Sequence, residues 1–118
     1  MTAFDAVAKR YESRYADAAG YRTHYIEAGE GEPVILVHGG GPGADGFGNW
    51  HSCLPGFAKR FRTIAVDMLG FGGTAKPDPA SFTYSQDART DHLIAFIEAL
   101  GLGQVRLVGN SMGGITSL

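Results

Sequence analysis

Twice in this 118-residue chain a short run built mainly from valine, isoleucine and leucine breaks off at a cluster of glycines. Val34-Ile35-Leu36-Val37 passes through His38 into Gly39-Gly40-Gly41-Pro42-Gly43. Val105-Arg106-Leu107-Val108 passes into Gly109-Asn110-Ser111-Met112-Gly113-Gly114. A brief apolar run bounded by glycine predicts a strand buried on both faces, as in a parallel sheet. Thr63-Ile64-Ala65-Val66, ending at Asp67, predicts a third such strand. Tyr21 to Glu27, alternating in character and closed by Ala28-Gly29-Glu30-Gly31, predicts a fourth. The 18 glycines are about twice the usual share of roughly 7%, but they follow no period, which excludes a fibre.

Helices fit between these strands. Leu93, Phe96, Ile97 and Leu100 fall at i, i+3, i+4 and i+7, one face of a helix. Thr83 and Gln86 predict a capping box at its start, and Gly101 a left-handed stop at its end. Asn49 to Phe61 predicts a weaker helix with Pro55-Gly56 inside it. The alternation predicts an α/β fold, with a mainly parallel sheet and flanking helices. Residues 1–20 stand apart as an N-terminal extension, and residues 21–118 form one core.

Composition removes several function classes. Ten Lys and Arg against twelve Asp and Glu give a net charge of −2, so nothing basic points to nucleic acid or an anionic membrane. A hydrophobic share of 44% with 19% charged residues is globular. No apolar run approaches the ~20 residues of a membrane span. Met1 to Tyr15 mixes charges among its apolar residues and has no signal-peptide core, which predicts a cytoplasmic protein. Cys53 is the sole cysteine, so an internal disulfide framework and a cysteine metal cluster are excluded. His24, His38, His51 and His92 share no metal-ligand spacing, and neither a metal nor a cofactor is expected.

Gly109-Asn110-Ser111-Met112-Gly113 matches G-x-S-x-G directly after a predicted strand. A serine on a sharp strand-to-helix turn projects its hydroxyl, and glycines two before and two after it leave room where a Cβ would clash. The amide of Met112 then points at the place where an oxyanion would form, and the helix that follows adds its positive end. The plainer alternative is a small-residue turn that only packs strand on helix. The preceding strand and the additional Gly114 favour the nucleophile.

The loop from His38 to Gly43 follows the other glycine-terminated strand. A hydrolase of this kind needs a second amide donor there, and Gly40 is the candidate, with Gly41 next. A rival from another class also fits the letters: Gly41-Pro42-Gly43-Ala44-Asp45-Gly46 is G-x-G-x-x-G, and Asp67 lies about 20 residues on, where a ribose-binding acid belongs. Against dinucleotide binding, the motif starts several residues after the strand, and Pro42 lacks an amide that pyrophosphate would want.

Together, His38 to Ala44, Asn49-Trp50, Asp67-Met68-Leu69-Gly70-Phe71-Gly72 and Gly109 to Gly114 resemble the α/β-hydrolases, and more narrowly the meta-cleavage product hydrolases of aromatic-ring degradation. The resemblance runs from about Tyr21 to the last residue. It implies a C–C bond hydrolase acting on a 2-hydroxy-6-oxo-hexa-2,4-dienoate, with Ser111 catalytic and the amides of Gly40 and Met112 as oxyanion hole. It further implies that Gly39, Gly41, Asn49 and Asn110 meet the substrate, and that the full-length enzyme is a homo-oligomer. Phe47-Gly48 departs from the family, which commonly has tryptophan and a small polar residue there. A carboxylesterase or an acyl hydrolase like the proline iminopeptidases is the alternative, since the same loop and elbow serve acyl transfer.

In α/β-hydrolases an acid and then a histidine follow the serine. Met112 to Leu118 supplies neither, which predicts an N-terminal part of such a fold, truncated just after the elbow and inactive alone. The residues that precede Ser111 have plainer roles. His24 reads as a half-exposed strand histidine, and His38 as a structural hydrogen-bonding group. His51 and His92 read as solvated or capping, and Asp67 as a holder of backbone amides in the loop after it. Cys53 reads as a buried packing thiol, and Trp50, Phe57 and Phe61 as core. Tyr11, Tyr15 and Tyr21 read as shields for a sheet edge.

Overall fold

The computed structural model describes residues 11–117. In chain order they form β1 (Arg14–Ala18), β2 (Tyr21–Ala28), β3 (Pro33–Val37), α1 (Gly46–Trp50), α2 (Leu54–Ala58), β4 (Arg62–Val66), α3 (Gln86–Ala99), β5 (Arg106–Gly109) and α4 (Met112–Ser117). The strands make one sheet in the order β1-β2-β4-β3-β5. Its β4-β3-β5 half is parallel, with Ile35 opposite both Ile64 and Leu107. Its other half is antiparallel: β1 pairs with β2, and β2 with β4. The sheet is therefore mixed, and only the half that carries the glycine loops follows the parallel pattern.

Alternation along β3 and β4 builds two cores. Ile35, Val37, Ile64 and Val66 face α3, where Leu93 and Phe96 cover them and Phe96 meets Tyr25 edge-on at 5.3 Å. Val34, Leu36 and Ala65 face the other way, onto Leu54 of α2 with Trp50, Phe57 and Phe61 around it. Residues Val34 to Val37 are all buried, so these strands are covered on both faces.

Four expectations change. β1 lies inside the stretch set apart as an extension: Arg14–Ala18 pairs with β2 and covers its free edge, and Tyr15 rests on its exposed side. Asn49 to Phe61 is two helices, because Pro55 has no amide to donate and suits only a first turn, so the helix restarts at Leu54. Cys53 precedes that restart and is exposed, not buried. The cap of α3 is Ser85, whose hydroxyl accepts from the Ala88 amide at 3.1 Å; Thr83 lies two residues too early. Gly101 does end the helix at φ +64°. Among the described residues, no helix is long and apolar enough to cross a membrane.

Candidate active site

β5 delivers the elbow. Its last pair sets Gly109 beside Val37, and the Asn110 amide still donates to the Val37 carbonyl at 3.1 Å. The chain then reverses at Ser111, which sits at φ +54°, a region that L-residues avoid at a cost of roughly 1–2 kcal/mol. Among the described residues only Ala19 shares a positive φ without being glycine. α4 starts at the next residue. The turn is tight enough that a Cβ at Gly113 would lie 2.2 Å from the Val37 oxygen and 2.6 Å from that of His38. One at Gly109 would lie 2.5 Å from the Gly113 oxygen. Glycine at both positions is thus a steric condition for Ser111 to stand exposed at the bend.

The first loop comes to meet it. His38 is fully buried, and its Nε2 accepts from the Met68 amide at 2.9 Å. The proton therefore sits on Nδ1, which donates to the Gly39 carbonyl at 2.7 Å. The Gly39 amide donates to Asn49 Oδ1 at 2.9 Å, so Gly39 is held from both sides. Gly40 follows, pressed against the elbow: a Cβ there would lie 2.8 Å from Met112 Sδ. The Gly39 amide is taken, whereas no acceptor among the described residues engages the amides of Gly40 and Met112. Gly41 is open, with nothing within 4 Å of a Cβ placed on it.

Asn49 joins the two loops. Its Oδ1 also accepts from Asn110 Nδ2 at 3.2 Å. The Gly39 donor fixes which end of the Asn49 amide is oxygen. Nδ2 of Asn49 and Oδ1 of Asn110 are the groups left to face a ligand. The structure thus brings Ser111, Met112, Asn110, Gly39, Gly40 and Asn49 to one corner. The spacing of Asn49 gave no sign that it would brace the glycine loop.

A second serine, histidine and acid stand in line elsewhere. Ser13 Oγ is 2.9 Å from His24 Nε2, and His24 Nδ1 is 2.7 Å from Asp67 Oδ2. The distances suit a catalytic triad, but the surroundings do not. Asp67 Oδ1 accepts from the Gly46 amide at 2.7 Å, and Oδ2 also from the Gly73 amide at 2.9 Å. Burial pushes this carboxyl's pKa up. The bonds from His24, Gly73 and Gly46, with the nearby His24 charge, outweigh that and leave it below the usual carboxylate range. Ser13 leads into the extended β1, with no helix-start amides beside it. Asp67 acts as the amide holder expected from sequence, with two longer-range partners added. It is also buried at 3% exposure, and so does not face outward to a ribose as dinucleotide binding requires.

The other singled-out residues fall outside this corner. His51 ends α1, with Nδ1 3.2 Å from the carbonyls of Phe47 and Gly48, a capping role. His92 is not solvated: it is buried against β2, with Nε2 2.9 Å from Thr23 Oγ1. The turn-by-turn pattern of α3 puts His92 next to Leu93 on the inward side, a signal that its polarity masked. Trp50, Phe57 and Phe61 pack on the second core, as does Tyr11, its ring 6.3 Å from Phe47. Among the described residues no group of three or more His, Cys, Asp or Glu is placed to hold a metal.

Comparison with known proteins adds an independent line. A family model described as alpha/beta hydrolase fold matches residues 32–118. The chain is 54% identical over 109 residues to a 2-hydroxy-6-oxo-6-(2'-aminophenyl)hexa-2,4-dienoic acid hydrolase of Metapseudomonas resinovorans, covering 92% of this chain and 37% of that protein. It is 44% identical over 97 residues to a 2-hydroxymuconate semialdehyde hydrolase of Pseudomonas sp. (strain CF600), covering 82% and 34%. Among solved structures, a serine hydrolase involved in carbazole degradation superposes with a TM-score of 0.85 at 54% identity, covering 90% of this chain and 40% of that one. A meta-cleavage product hydrolase from Pseudomonas fluorescens IP01 superposes with a TM-score of 0.81 at 44% identity, covering 86% and 36%. The chain spans about a third of the length of the curated relatives it matches.

Proposed function

Because the chain belongs to the α/β-hydrolase fold family, we propose that it carries the nucleophile and oxyanion hole of an enzyme hydrolysing a carbon–carbon bond in a 2-hydroxy-6-oxo-hexa-2,4-dienoate. The observation that carries this reading is the strained, exposed Ser111 at φ +54° with the Gly40 and Met112 residues in contact beside it. The names of the relatives support the substrate class.

The chemistry follows from that corner. The dienol first tautomerises to the ketone. Attack on the C6 carbonyl then moves charge onto its oxygen, and the two free amides of Gly40 and Met112 donate hydrogen bonds to that oxyanion. Ser111 either adds to that carbon or assists the attacking water. Asn49 and Asn110 orient the dienoate, and Gly39 and Gly41 border it. A serine hydroxyl needs a base, and the four histidines of this chain are engaged or distant. In the family order the acid and base follow the serine, so the proposal assigns them to the rest of the full-length enzyme. The same reading carries a cytoplasmic location and self-association of that enzyme.

Decay of the dienoate's colour tests it. In the full-length protein, Ser111→Ala is expected to lower turnover at least about a thousandfold, and the 118-residue chain alone to show none. Hydrolysis of a simple aryl ester with an unchanged dienoate colour would favour the acyl hydrolase instead. Unchanged turnover in Ser111→Ala would overturn both.

A further inference from the structure

Gly39-Gly40-Gly41 gives the first loop little stiffness of its own, since glycine reaches most backbone conformations at no steric cost. An amide aimed at an oxyanion must therefore be held by groups outside the glycines. Two side chains do this on either side of Gly39. The Gly39 amide belongs to the peptide shared with His38, and Asn49 Oδ1 pins it at 2.9 Å. The Gly39 carbonyl belongs to the next peptide, and His38 Nδ1–H pins it at 2.7 Å. With the planes before and after it both fixed, Gly39 keeps no free dihedral.

That second peptide is the one whose N–H is the Gly40 amide. It is trans, so its carbonyl and its N–H point in opposite directions. The carbonyl is turned toward a fully buried ring, Gly39 is itself buried, and Gly40 is exposed. The N–H therefore points away from the ring. The ring is fixed in turn: Nε2 accepts from the Met68 amide at 2.9 Å, just past the end of β4, and Phe71 packs edge-on against it at 5.0 Å and 72°. A donor on the carbonyl oxygen also draws electron density from the amide nitrogen, which makes its N–H the stronger donor. We propose that His38 is a positioning residue for hydrolysis, which rests on Gly40 serving as an oxyanion donor: Nδ1–H of His38 aims and polarises the Gly39–Gly40 peptide so that its N–H meets the developing charge.

Two substitutions in the full-length enzyme separate the two bonds of the ring. Asparagine carries an N–H where Nδ1–H stands but is too short to reach the Met68 amide. Glutamine carries an oxygen to the Nε2 position and leaves the Gly39 carbonyl without its donor. Each loses one buried hydrogen bond, so His38→Asn and His38→Gln are expected to lower the urea midpoint by similar amounts. Their turnover of the dienoate should differ. His38→Gln is expected to lower kcat by about 10- to 100-fold with KM little changed, short of the full loss of an oxyanion donor. His38→Asn is expected to rescue kcat to within about fivefold of the unaltered enzyme. The nitrogen-15 resonance of the Gly40 amide should move in His38→Gln and stay near its place in His38→Asn. Equal loss of kcat in the two variants, a change confined to KM, or an unmoved Gly40 resonance in His38→Gln overturns the proposal. If His38→Gln does not fold, His38→Asn decides alone, and a loss of kcat of about tenfold or more there overturns it. An unaltered enzyme that turned over neither the dienoate nor an aryl ester would sink the hydrolase reading, and the Gly40 resonance would then decide whether His38 sets this peptide.

Discussion

The two polar corners at the same end of the sheet use similar residues to opposite ends. Where β2 meets β4, Ser13, His24 and Asp67 form a hydrogen-bonded line, and the carboxylate also holds the Gly46 and Gly73 amides. Its polar groups are satisfied within the protein. Where β3 meets β5, Ser111 stands on strained backbone, and the Gly40 and Met112 amides find no acceptor among the described residues. Triad-like distances occur at the first corner, yet unmet donors and strain occur at the second. Reactivity is better read from what a corner leaves unsatisfied than from which residue types gather there.

The sharpest way to break the second corner is through its sterics. A Cβ at Gly113 would meet two backbone carbonyls of the neighbouring strand, neither of which can move without parting the sheet. Gly113→Ala is expected to destabilise by about 4 kcal/mol or more, or to prevent folding. Gly41→Ala, in open space on the same corner, is expected to stay within about 0.5 kcal/mol. Urea midpoints of the two variants check the pair; similar values would mean that the elbow does not crowd β3.

The first corner breaks through its charge. Asp67→Ala leaves the Gly46 and Gly73 amides without their acceptor and is expected to cost on the order of 3 kcal/mol. Acid should mimic it. The folded-state pKa of Asp67 lies below its unfolded value, so its contribution is present above the unfolded pKa and fades as pH falls through the folded one. His92 adds to this slope over a higher range. Its folded pKa of about 4 lies below the ordinary 6.5, so between these values the unfolded chain binds the extra proton and stability falls as pH drops. Urea midpoints should decline as pH falls from neutral through the His92 range and on into the Asp67 range below about pH 4, and Asp67→Ala should flatten only that lowest part.

How much of this was legible follows from the range of each interaction. The strands β2 to β5, the elbow and the glycine loop are short-range patterns, and Gly109, Ser111 and Gly113 state their geometry within five residues. β1 was missed because Arg14–Ala18 is polar and mostly exposed, and only pairing with β2 makes it a strand. The burial of His92 and the bracing by Asn49 depend on partners 69 and 10 residues away, Thr23 and Gly39, which no local pattern announces. Cys53 misled because its apolar neighbours Leu54 and Phe57 turn inward while the helix start leaves it outside.

The smallest expected effect is the most diagnostic. If Ser111 is held at φ +54° by its surroundings, glycine there should relieve the strain, since glycine reaches that region without a Cβ penalty. The unfolded chain gains freedom at the same time, which offsets part of the relief. Ser111→Gly is therefore expected to stabilise the protein by up to about 1 kcal/mol while removing the hydroxyl. Ser13→Ala, on ordinary backbone at the satisfied corner, should lie within about 0.5 kcal/mol of zero. A gain at 111 without one at 13 would mean that the chain sacrifices stability to present one serine. A clear loss at 111 would mean that its hydroxyl is a structural group, and the contrast between the corners would fail.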